Sequence, residues 1–195
     1  MKKRTLQVLA IIVVIGLFWG CTCHTSEKKA IEDTLNETLD LSVFNTVHLQ
    51  DSMLSIDELK NSYDYISIIY LLNECSPCYQ RYIDWHKKMD SEMQHGNHTV
   101  LFIVEGLYYT EFINEINSIE PINNRYYVIM DPNQLFIIAN PNIPKWIIDK
   151  SLLIDKEFRV RMVGQPWEDK KKTKQFRKIC KHAHKKYISI LNFNL

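Results

Sequence analysis

The segment IIYLLNECSPCYQRYIDW, residues 68–85, sets two cysteines three positions apart, straight after an apolar run and with a proline between them. The run YDYISIIYLL (63–72) is dense in β-branched and aromatic residues, the composition of a buried strand. The stretch CYQRYIDWHKKMDSEMQ (78–94) then repeats Tyr79, Tyr82, Ile83, Met89 and Met93 at three- and four-residue steps. That rhythm predicts a helix, which the glycine of HGNH (95–98) ends. A buried strand feeding a cysteine loop and then a helix puts the loop at the carboxyl edge of a sheet, where open α/β folds hold their ligands. At this stage the pair is open to three chemistries: a redox centre, half of a metal site, or a structural staple.

The alternation continues outward. TVLFIVE (99–105) reads as a second buried strand, and EFINEINSIE (111–120) as a helix with Phe112, Ile113, Ile116 and Ile119 on one side. RYYVIM (125–130) is a third strand, NQLFIIA (133–139) a short helix, and NPNIPKWIIDK (140–150) a proline-broken crossing. SLLID (151–155) and FRVRMVG (158–164) form a hairpin closed by Lys156-Glu157, and a long helix ends the chain. Upstream, TVHL (46–49) is a short strand, and Ser55-Ile56-Asp57-Glu58 has the Ser-x-x-Glu form of a capping box. Strands alternating with helices and closing in a hairpin plus helix predict an α/β domain with a mixed central sheet flanked by helices.

The 195 residues are 46% hydrophobic with a net charge of +1, enough for one globular domain and without the basic excess that nucleic acid would require of a partner. The amino terminus has its own logic. Lys2, Lys3 and Arg4 precede an uncharged apolar stretch from Val8 to Trp19, which ends on Gly20-Cys21, the anatomy of an export signal. Leu17 to Cys21 (LFWGC) resembles a bacterial lipobox, which implies lipid attachment at Cys21; an uncleaved anchor and simple secretion are the alternatives. The expected division is a signal at 1–20, a polar tether at 21–45 with one weak helix on Ile31, Leu35 and Leu39, and a domain at 46–195. Export leads to an oxidising compartment, where a disulfide persists.

If the helix begins at Cys75, the positive end of its dipole favours a thiolate there. Cys-X-X-Cys motifs lower the thiol pKa from ~8.5 to between ~3.5 and ~7.5. Cys75 is then the nucleophile, and Cys78, one turn on, attacks the resulting mixed disulfide. Pro77 suits the first turn, where its missing N–H needs no acceptor. Glu74 opposes a second negative charge beside it.

With its flanking strand–helix alternation and terminal SLLIDKEFRVRMVGQP (151–166), the segment resembles the thioredoxin-like superfamily, and within it the membrane-tethered TlpA-type thiol-disulfide oxidoreductases. The resemblance spans residues 46 to 190. It implies a thioredoxin-like fold, a redox-active Cys75–Cys78 disulfide with Cys75 attacking and Cys78 resolving, and no cofactor. The implied partners are exported proteins carrying thiols or disulfides, an electron donor, and a membrane reached through the N-terminal lipid on the periplasmic side. Two positions depart from the family. Glu74 stands where tryptophan is usual. The family's cis-proline falls on Asp149 or Lys150 if SLLID is the facing strand, and on Pro144 if KWIID (145–149) is.

Rival readings rest on named residues. A zinc site would add Cys180, His182, His184 or His86 to the cysteine pair, since four ligands are needed. Yet Cys180 falls in the apolar series Phe176, Ile179, Ala183 and Tyr187, and reads as core. The basic run Lys170–Lys186 is either a solvated helix face, with Glu168 and Asp169 at its amino end, or a contact to anionic lipid. A non-catalytic scaffold that merely retains the disulfide is the alternative to an enzyme.

Overall fold

The computed structural model describes residues 26–92 and 97–191, with side-chain surroundings through 181 apart from residues 90 and 92. The elements in chain order are α1 (26–34), β1 (Thr46–Leu49), β2 (Ser52–Ser55), α2 (Ile56–Ser62), β3 (Tyr65–Leu72) and α3 (Ser76–Glu92). There follow β4 (His98–Glu105), α4 (Tyr109–Ile119), β5 (Tyr127–Met130), α5 (Leu135–Ala139), α6 (Lys145–Ile148), β6 (Leu152–Asp155), β7 (Val160–Val163) and α7 (Lys170–Leu191). Cys21, Cys23 and the export segment lie outside the described residues. Among those described, no helix is long and apolar enough to cross a membrane.

The strands form one sheet in the order β2-β1-β5-β4-β3-β6-β7. β3 and β4 pair in parallel from Tyr65–His98 to Leu72–Glu105, and β5 lies parallel to β4. β6 runs antiparallel to β3, with Ile68 opposite Leu152, and β7 antiparallel to β6. The unit β3-α3-β4 followed by β6-β7-α7, in the order β4-β3-β6-β7, is the connectivity of the thioredoxin fold. The β5 strand and the β1–β2 hairpin extend it on one side.

Both faces of the sheet are covered, which is why β3 and β4 read as continuous apolar runs and not as alternating ones. Ile66, Ile68, Tyr70, Leu101 and Ile103 point to one side, where α2, α5 and α6 supply Leu59, Phe136, Ile147 and Ile148. Ile69, Leu71, Val100, Phe102 and Val104 point to the other, beneath α3, α4 and α7. On that side Tyr82 lies 4.3 Å from Phe102 between ring centres and Trp85 4.5 Å from Trp167. Burying each large side chain of this kind contributes roughly 1.5–3 kcal/mol.

Two local features differ from expectation. The packed unit starts well before residue 46: Leu39, Leu41 and Phe44 are buried, and the backbone of residues 36–39 pairs along β7. Asn36 N–H donates to the Val160 carbonyl at 2.8 Å and Leu39 N–H to that of Phe158 at 2.9 Å. This stretch covers a sheet edge that would otherwise be open. The strand β2 is the second difference; it forms a hairpin with β1 through Gln50, which adopts φ +53°. The Ser55/Glu58 capping box is present as expected and starts α2.

Candidate active site

The approach to Cys75 is built from the ends of β3 and β4. Asn73 N–H donates to the Glu105 carbonyl at 3.1 Å, extending the ladder by one step. Gly106 follows, and a Cβ there would lie 2.8 Å from Cβ of Asn73, so glycine is what lets the two segments run this close. The chain then reverses at Glu74, whose φ is +59°. That left-handed residue is held from the helix side: the Tyr79 hydroxyl accepts Glu74 N–H at 2.9 Å and donates to Asn73 Oδ1 at 3.1 Å.

Cys75 occupies the cap position of α3. Its carbonyl accepts the N–H groups of Cys78 at 2.8 Å and Tyr79 at 3.1 Å, and Pro77 sits in the first turn, as expected. Cys75 and Cys78 are joined by a disulfide, with Cα atoms 5.1 Å apart. Cys75 is half-buried, and Ser76 and Pro77 beside it are exposed. Cys78 is also half-buried and packs on the cluster around Tyr82 and Trp85. The carboxylate-bearing Glu74 is exposed, so its repulsion of a Cys75 thiolate is screened by solvent.

Toward the carboxyl end of β3 the chain enters β6, and here the register decides between the two placements left open by the sequence. SLLID is the strand facing β3, and Pro144 instead precedes α6 as its cap residue, with φ −55°. Asp149, Lys150 and Ser151 therefore lead into β6. All described peptide bonds are trans. The turn is made by Ser151 at φ +89°, a conformation costly for a residue with a Cβ, and its buried hydroxyl has no hydrogen-bond partner.

Around this edge the surface is apolar. Leu72 at the end of β3, Leu107 and Tyr108 after β4, Leu135 and Ile138 on α5, and Trp146 on α6 are all exposed. Beneath them Glu105 ties the elements together, accepting from Tyr70 Oη at 2.9 Å and from Gln134 Nε2 at 2.7 Å. Burial, and next the bond to Glu105, push the Tyr70 phenol up, so it stays a donor.

The metal reading needs free thiolates with further ligands beside them. A bonded Cys75–Cys78 pair presents no thiolate, and no group of three or more His, Cys, Asp or Glu suited to a metal occurs among the described residues. Cys180 is a buried core residue on the same face of α7 as Phe176, its thiol pushed up to about 12 by burial. His86 is packed between Tyr82, Phe102 and Tyr126, with Nδ1 3.0 Å from the Tyr82 carbonyl oxygen. The side chains of His182 and His184 lie outside the described residues.

Sequence reasoning found the cysteines and the helix start. It did not single out Tyr79 as the clamp on the loop, Gly106, or Arg81, whose Nε and Nη2 atoms are buried without a hydrogen-bond partner. The φ-positive Glu74 carries no sequence signal of the kind that glycine or asparagine would give.

The strand order and the Cys-X-X-Cys disulfide at the amino end of the helix after the first core strand together describe a thioredoxin-like α/β fold. No protein-family model matches the chain, and no curated protein does. Among solved structures, the chain is similar to a protein assigned as thiol:disulfide interchange protein DsbE from Chlorobium tepidum, at 15% identity, 73% coverage of this chain and 94% of that one, and a TM-score of 0.49. It is also similar to a thioredoxin-like protein from Aeropyrum pernix, at 14% identity, 84% and 98% coverage, and a TM-score of 0.46. A secreted thiol-disulfide isomerase from Corynebacterium glutamicum gives 17% identity, 58% and 66% coverage, and a TM-score of 0.43. The thioredoxin-like fold rests on the chain's own connectivity and disulfide.

Proposed function

We propose that the chain is an exported, membrane-tethered thiol-disulfide oxidoreductase, with Cys75 as the attacking and Cys78 as the resolving sulfur. The observation that carries this reading is the half-exposed Cys75 at the amino end of α3, bonded to Cys78 and flanked by exposed Ser76 and Pro77. A sulfur in that position is open to a partner thiolate, and the helix terminus favours it as a leaving or attacking thiolate. The apolar rim from Leu72 to Trp146 suits protein clients, whose exposed apolar segments it would seat, better than small thiols. The reducing or oxidising partner that resets the pair is a second protein thiol or disulfide, since no cofactor is required for exchange.

The envelope location and the lipid on Cys21 rest on the export segment and LFWGC. The carboxyl-terminal helix adds to them. Nine of the chain's 24 lysines and arginines fall between 170 and 186, and no Asp or Glu follows Asp169. Lys170, Lys171, Lys174, Arg177, Lys178 and Lys181 are exposed, share the face of α7 opposite Phe176 and Cys180, and make no ion pair among the described residues. Such a stripe is attracted to an anionic lipid surface.

A second reading, a thioredoxin-fold binding lipoprotein with a retained disulfide, is favoured by one observation: Lys150 and Ser151, and no proline, enter β6 at the carboxyl end of β3. Trapping separates the two. In the oxidoreductase reading, a Cys78→Ser chain accumulates mixed disulfides with envelope proteins through Cys75, and Cys75→Ser abolishes them. A Cys78→Ser chain that forms none, while the native chain keeps its disulfide throughout, establishes the scaffold.

A further inference from the structure

Arg81 carries a positive charge that forms no ion pair among the described residues of the oxidised protein. It lies three positions after Cys78 on α3, one helical turn, and its Nε and Nη2 atoms are sealed from solvent with no hydrogen-bond partner. Side chains on a helix lean toward its amino end, so a long side chain at this position runs back over the turn that carries Cys78. The nearby carboxylates are otherwise engaged or distant. Asp84 accepts from Gln80 Nε2 at 2.9 Å, and Glu74 is exposed at the mouth of the loop. Asp149 acts on the guanidinium from the segment entering β6, but its carboxylate is paired with Lys145 Nζ at 3.0 Å. Burial accordingly works against the Arg81 charge, with Asp149 the opposing influence.

A partly buried cation without a close ion-pair partner is costly, and the cost falls when an anion forms beside it. Neither sulfur is charged while the disulfide is closed. When a client thiolate attacks Sγ of Cys75, a client–Cys75 bond forms, the Cys75–Cys78 bond breaks, and the electron pair stays on Sγ of Cys78. We propose that Arg81 stabilises this Cys78 thiolate and so biases the pair toward accepting electrons, that is, toward oxidising client dithiols. A second client thiol then gives its proton to solvent and attacks the mixed disulfide. The client leaves as a disulfide, two electrons oxidised, and the protein holds Cys75 and Cys78 reduced. Lower leaving-group pKa also speeds the first step. The assignment rests on the oxidoreductase reading and adds its direction, with Arg81 acting on the reaction through Cys78.

The test is the equilibrium of the full chain with reduced and oxidised glutathione, read by maleimide mass shift, for the native sequence, Arg81→Met, Arg81→Lys and Asp149→Asn. Arg81→Met should move the equilibrium at least tenfold toward the disulfide, about 30 mV in potential. Arg81→Lys, which keeps the charge, should stay within about threefold of native, and Asp149→Asn should shift the other way, toward the dithiol. In a Cys75→Ser background, thiolate absorbance should show the Cys78 thiol titrate higher once Arg81 is replaced by Met. Native and Arg81→Met constants within twofold of each other, or a shift toward the dithiol, overturn the assignment while leaving exchange itself intact. A native pair that glutathione and dithiothreitol both fail to reduce removes the oxidoreductase reading together with it. Should Arg81→Met not fold, Asp149→Asn decides: an unchanged equilibrium refutes the role.

Discussion

The hydroxyl of Tyr79 accepts the backbone N–H of Glu74 at 2.9 Å, tying the loop before the first cysteine to the helix that carries the second. The same oxygen donates to Asn73 Oδ1, so one side chain fixes the left-handed turn at Glu74 from below. Tyr79→Phe leaves that N–H and the Asn73 carbonyl oxygen without their partner. The expected loss is about 1 kcal/mol of stability, read from urea unfolding, together with faster amide exchange at Glu74.

Gly106 and Asn73 make a second close pair. Gly106→Ala puts a methyl 2.8 Å from Cβ of Asn73, and the backbone on both sides is held by the β3–β4 ladder. Overpacking of this kind costs roughly 1–3 kcal/mol, and thermal melting should register it. An unchanged melting temperature would mean that the two strand ends separate freely, contrary to the geometry.

The apolar rim predicts a split between client types. Leu107 and Ile138 are 66% and 67% exposed, so replacing either by Asp should change stability by no more than about 0.5 kcal/mol. Exchange with a reduced, unfolded protein should nevertheless slow several-fold, while exchange with glutathione stays at the native rate. Stopped-flow tryptophan fluorescence with both substrates checks it. Equal slowing of both would show that the rim acts on the disulfide itself.

Burial raises the Cys180 thiol from an ordinary value near 9.0 to about 12. The folded protein therefore keeps a proton that the unfolded chain loses above pH 9. By linkage, stability that is complete below about pH 9 is lost progressively as pH rises toward 12. Urea titrations at pH 8 and pH 10 should show this decline, and Cys180→Ala should lose less between the two, once its lower starting stability is subtracted.

The parts of the fold most legible from sequence are those whose signal is local. The run into Leu72, the three- and four-residue rhythm of α3 and the Ser55/Glu58 box each declare themselves within one element, and each is present. The strand β2 is four residues with no glycine or asparagine turn before it, so the hairpin signal is missing. Residues 36–45 read as polar because their order comes from far away: Leu39 bonds to Phe158, and Asp40 N–H donates to Asn140 Oδ1 across a hundred positions. Ile119 continues the apolar stripe of α4 in sequence yet is exposed, because the helix ends there and the sheet no longer lies beneath it. At the site, spacing alone marked Cys75 and Cys78. The roles of Tyr79 and Arg81 depend on which neighbours they lack or reach, which no spacing encodes.

The most direct measurement is maleimide labelling of the native, undenatured chain during reduction by dithiothreitol, resolved by peptide mass. With Cys75 half-exposed at the start of α3, Cys75 and then Cys78 should become labelled while Cys180, buried on the core-facing side of α7, stays unlabelled. Labelling of Cys75 and Cys78 only after denaturant opens the fold, in step with Cys180, would contradict the account.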